Sequence, residues 1–132
     1  MSAPFTFITR HRVAAEHRDE LIAAGEEYSA YLERHEPSLL ALSMSFDDDR
    51  AELTLVHVLT DAEAGDAHMR LAHEHIGRGL DLVETAGLEV HGRPGPVISG
   101  AITANRDAGV PVSLSTEVLG GFARARRLEH SR

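Results

Sequence analysis

Between positions 5 and 93 the apolar residues change their spacing along the chain, from every second residue to every third or fourth and back again, in the order strand, helix, strand, strand, helix, strand. Few folds accept that order. Phe5 to Arg12 alternates, with Phe5, Phe7, Thr9 and His11 on one face and Thr6, Ile8, Arg10 and Arg12 on the other. From Ala15 to His35 the spacing is helical: Leu21, Gly25, Tyr28, Leu32 and His35 form one stripe, flanked by Ile22 and Tyr31. Pro37 ends that helix, because it has no N–H to donate and its ring clashes with the turn before it. Leu39 to Phe46 and Glu52 to Thr60 then alternate as strands on either side of Asp47-Asp48-Asp49-Arg50, a polar turn that makes them an antiparallel hairpin. Asp61 is placed to cap a second helix running to Ala86, with Gly87 as its stop. Its inner half carries Ala64, His68, Leu71, Ala72, His75, Ile76, Gly79, Leu80 and Val83. Leu88 to Gly92 is the last strand, closed by Arg93-Pro94-Gly95-Pro96.

This order predicts an α+β domain of the ferredoxin-like, split βαβ type over residues 1–93, a four-stranded antiparallel sheet with two helices on one face. Residues 94–132 form a C-terminal extension. Val97 to Ala104 and Val110 to Val118 read there as a second β-hairpin, followed by Gly120-Gly121 and a basic tail, packed on the same domain or on a partner subunit. A sheet with helices on one side leaves the apolar residues of its other face in need of cover, and a second copy of the chain supplies it, so a homodimer is expected.

Composition removes whole classes of chemistry. All thirteen basic residues are arginine, and Lys, Cys, Trp and Gln are absent. Schiff-base lysines, thiol nucleophiles, cysteine metal sites, disulfides and Walker-type phosphate loops are therefore excluded. No Gly-x-Gly-x-x-Gly or Gly-x-Ser-x-Gly element occurs, which leaves dinucleotide binding and hydrolase chemistry without footing. The formal charge is −8 and opposes nucleic acid or an anionic membrane as partner, although protonating all nine histidines would bring it to +1. No apolar run is long enough to span a bilayer, and the first residues lack the layout of a secretory signal, so a cytoplasmic protein is expected.

One local stretch carries a resemblance. Leu53-Thr-Leu-Val-His57-Val-Leu59-Thr-Asp61 leads into a helix bearing Ala67-His68 and, five residues on, His73. In this layout the chain resembles the antibiotic-biosynthesis monooxygenase-like family of dimeric α+β barrels over about residues 5–93, with Leu59 where that family usually has tryptophan and His57 where it often has glutamate. The resemblance implies a homodimer whose sheets pack face to face, with a pocket for a hydrophobic or aromatic small molecule between sheet and helices. It also implies cofactor-independent oxygenation of aromatic polyketides or quinols, in which the substrate carbanion itself reacts with oxygen, while related members bind haem.

Period-two alternation puts His57 and Leu59 on one face of their strand, and that face looks at the helix bearing His68 and His75. His57, His68 and His75 are thus the candidate catalytic groups, since imidazoles titrating near neutrality can take a proton from a substrate hydroxyl. Tyr28, Tyr31, Leu59 and His73 are the candidate ligand contacts. The competing interpretation of each histidine is a hydrogen-bonded core residue, and of each tyrosine a packing residue, in a dimer that binds a ligand such as haem without catalysis or serves only for interaction. No metal site is expected: His68 and His75 are seven residues apart, and His73 and His75 diverge on a helix.

Overall fold

The computed structural model of the protein describes residues 3–75 and 81–124, with side chains for all of these except 73–75. Its elements are β1 (Phe5–Val13), a short 3-10 turn (Ala15–His17), α1 (Arg18–His35), β2 (Leu39–Asp47), β3 (Glu52–Leu59), α2 (Ala62–His75), β4 (Val83–His91), α3 (Pro96–Asp107) and β5 (Val112–Ser115). The strands form one sheet in the order β2-β3-β1-β4-β5. Every pairing is antiparallel except β4 with β5.

Register places the alternating faces as the sequence predicts. Phe7 lies opposite His57 on β3 and opposite Val90 on β4, and His57 lies opposite Leu42 on β2. These side chains share the inner face. Phe5, Phe7, Leu59, Leu88 and Val90 make the core there, and Ile98 and Ile102 of α3 pack onto them. Thr6, Ile8 and Arg10 point the other way with Val56, Val58, Glu89 and His91, on a face that none of these core residues reaches.

Three expectations are corrected. The sheet has five strands, because residues 110–118 supply a parallel edge strand and not the second arm of a hairpin. Residues 97–104 are helical: Ile98 and Ile102 are buried while Ser99, Gly100, Thr103 and Ala104 are exposed, a period near four, and Pro96 sits in the first turn, where no N–H is needed. The β-branched residues made this segment look like a strand, but its position against α2 and the sheet favours one buried stripe. The second helix does not reach Ala86. Residues 83–86 belong to β4, which pairs with the far end of β1 through Val13↔Val83, Arg12↔Glu84 and His11↔Thr85. Gly87, read as a helix stop, lies opposite Arg10 where the register shifts. Ile76, Gly79 and Leu80, also assigned to that helix, lie outside the described residues.

The C-terminal helix is anchored by a side chain distant in sequence. Asp66, buried on α2, accepts the backbone N–H of Ile98 at 2.9 Å, which satisfies one of the donors that a helix N-terminus leaves unpaired. Gly95 makes this approach possible, since a Cβ at that position would run into the Asp66 carboxylate.

Candidate functional site

β3 and α2 bring two of the three candidate catalytic histidines together. His57 projects from β3 onto the inner face, and His68 projects from α2 toward the same place, with ring centroids 5.0 Å apart. Both are buried, at 3% and 1% exposure. Phe7 lies flat on His57, with centroids 4.1 Å apart and 10° between the planes, and contacts His68 at 5.9 Å. His57 Nδ1 donates to the Phe7 carbonyl oxygen at 3.2 Å. Burial, and then the neighbouring His68, push the His57 ring down to about 3, so it stays neutral at physiological pH.

The third polar member is a residue that sequence reasoning passed over. Glu36 places both carboxylate oxygens on His68 Nδ1, at 2.8 and 3.0 Å, and its side chain is only 12% exposed. Its position follows from local chain chemistry. The residue before a proline is pushed out of the helical region, and Glu36 sits at φ −126° and ψ 79° immediately before Pro37, so the chain leaves α1 there. An acidic residue just before a helix-ending proline is the one signal the sequence offered for it.

Tyr28, on α1, feels the charge of the same carboxylate. Its hydroxyl is enclosed without a hydrogen-bond partner, and burial followed by the Glu36 charge pushes it well above the usual phenol range. It remains a protonated donor. His11, further along β1, shares a hydrogen bond with Thr9 Oγ1 at 3.1 Å through Nε2, while its enclosed Nδ1 has no partner. Burial lowers its pKa.

The remaining candidates fall elsewhere. Leu59 is fully buried in the core among Phe5, Phe7 and Ile98. Tyr31 is half-buried and lies tilted against His35, with ring centroids 4.3 Å apart. His73 and His75 end α2, and their side chains lie outside the described set. An open cleft of about 400 Å³ lies away from the histidine pair, lined by Arg12, His17, Arg50, Asp81 and Glu84 among others. No group of three metal-ligating side chains occurs among the described residues.

Comparison with known proteins shows likeness in fold, not in sequence. No family model matches the chain, and no curated protein matches it. Among solved structures it is similar to MupZ from Pseudomonas fluorescens, with a TM-score of 0.71 and 17% identity over 93% of this chain and 96% of that one. Such coverage requires most of the residues beyond position 95. It is also similar to a proposed antibiotic biosynthesis monooxygenase from Bacteroides thetaiotaomicron (TM-score 0.57, 23% identity, 67% of this chain and 85% of that one). A further one from Chloroflexus aurantiacus gives a TM-score of 0.57 and 21% identity over 70% of this chain and 95% of that one. With its split βαβ sheet and helices on the inner face, the chain has the fold of the antibiotic-biosynthesis monooxygenase-like proteins.

Proposed function

We propose that this protein is a homodimeric small-molecule enzyme that oxygenates an aromatic polyketide or quinol without a cofactor, at the His57–His68 pair. The observation that carries this reading is the polar cluster Glu36–His68–His57 set into an apolar core. Burying a carboxylate and two imidazoles costs stability relative to apolar residues of the same size, and groups kept at such a cost cluster at functional sites. In the proposed reaction His68 takes a proton from the substrate, and the Tyr28 hydroxyl donates to the oxygen on which charge develops. The resulting carbanion adds molecular oxygen to give a peroxide anion, which takes back the proton held by His68; the hydroperoxide then loses its remaining C–H hydrogen together with the distal OH as water. An anthrone methylene thereby becomes a carbonyl, with one oxygen atom retained and the other released as water.

A second interpretation is favoured by one observation: both rings are closely packed, and the open cleft lies away from them. In that case the cluster is a core hydrogen-bond system in a non-catalytic dimer. Oxygen uptake on a panel of anthrones and quinols separates the two. The enzyme predicts uptake that falls in both His57→Ala and His68→Ala; the binding or interaction dimer predicts none above the uncatalysed rate in any form.

A further inference from the structure

The hydrogen-bond partners of the two buried rings determine which nitrogen of each is left bare. A backbone carbonyl can only accept, so His57 carries its proton on Nδ1, facing the Phe7 carbonyl. An ionised carboxylate can only accept, and Glu36 places both of its oxygens within 3.0 Å of His68 Nδ1. Both rings therefore hold the same tautomer. Their Nε2 atoms make no hydrogen bond within the described residues. Each ring thus keeps an Nε2 lone pair, and the two rings lie with centroids 5.0 Å apart on the inner face.

We propose that Glu36 is a positioning residue which fixes His68 with its proton on Nδ1, and that the two bare Nε2 atoms select a ligand that donates a neutral hydroxyl over one that presents a carboxylate. The selectivity rests on the site proposed above; the tautomer does not. A phenol or enol hydroxyl meets an acceptor, whereas a carboxylate brings lone pairs against lone pairs and must be desolvated without compensation. Glu36 acts through His68, as a carboxylate behind an imidazole orients the ring and strengthens its other nitrogen as a base.

The test is ¹⁵N correlation spectroscopy of the full-length protein at pH 8, with the histidine signals assigned by substitution. Both His57 and His68 are expected to show a protonated Nδ1 and a bare Nε2. Glu36→Leu is expected to move His68 toward a protonated Nε2 while leaving His57 unchanged. A wild-type His68 with its proton on Nε2, or with both nitrogens protonated at pH 8, overturns the role of Glu36 without any variant being needed. An unchanged His68 tautomer in a folded Glu36→Leu protein overturns it as well. For selectivity, 1-naphthol and 1-naphthoate are titrated into the same sample, and naphthol is expected to shift both Nε2 signals and bind about tenfold or more tightly than naphthoate. Equal affinity, or shifts confined to other residues, overturns the hydroxyl preference. Absent oxygen uptake alongside the expected tautomers would sink the oxygenase reading alone.

Discussion

His57 is neutral in the fold and ordinary in the unfolded chain, and this difference makes the protein acid-sensitive. Its ring is held down to about 3, against 6.5 when free, so between those values the unfolded state binds the extra proton. Above pH 6.5 this group leaves stability unchanged; below it, stability falls by about 1.4 kcal/mol per pH unit until the folded ring itself titrates. His11, lowered by burial, acts in the same direction. Glu89, lowered chiefly by its hydrogen bond to His91, also loses its contribution as acid protonates it. The expected result is that His57→Phe, which keeps a ring against Phe7, flattens the acid limb by about that slope when urea unfolding is followed between pH 6 and 4. Parallel limbs in wild type and variant would show that His57 is not buried as described. At this scale the sequence was readable where period two decides the matter: His57 and Leu59 sit on the expected face, and His68 on the expected stripe. Glu36 was not, because its role is set by a turn that swings it onto a residue 32 positions away.

The elements divide in the same way. β1, α1, β2 and β3 fall within a residue or a few of their sequence limits, because local alternation and the breakers Pro37 and Asp47–Asp49 mark them. α3 was misread as a strand because the decisive contact, Asp66 to the Ile98 N–H, joins two segments far apart in the chain. β4 was misread at its start because pairing with β1 overrides local helix preference. The cap gives a quantitative expectation. Asp66→Ala leaves a buried N–H unpaired and should cost about 1–3 kcal/mol, with faster amide exchange along residues 98–102. Gly95→Ala should also destabilise, by driving a methyl group into the same carboxylate, yet the double variant should be no less stable than Asp66→Ala alone, since the clash has lost its partner. Additive losses in thermal melts would contradict the assignment.

At the scale of the whole molecule, the outer face of the sheet and the chain end remain. Ile8, Val56 and Val58 form an apolar strip beside the Arg10–Glu89 ion pair and the His91–Glu89 hydrogen bond, and the chain after β5 carries Leu119 at 95% and Phe122 at 72% exposure. We propose that a second copy covers this strip and that the chain end packs against it. Val56→Asp, at the centre of the strip opposite Ile8, should then convert a dimer into a monomer in sedimentation equilibrium at micromolar concentration. A wild-type protein that is already monomeric there contradicts the assembly. The expected fold class was readable from the order of elements alone, whereas what covers the outer face depends on a surface that one chain does not complete.

Initial-rate oxygen uptake with a dihydroxyanthrone tests whether the buried histidines carry out the chemistry. Removing a general base typically costs a hundredfold or more, so His68→Ala should lose roughly 10²-fold or more of the wild-type rate while remaining folded. Equal rates in wild type and His68→Ala would show that His68 is not the base, and no uptake by wild type above the uncatalysed reaction would show that the protein is not this oxygenase.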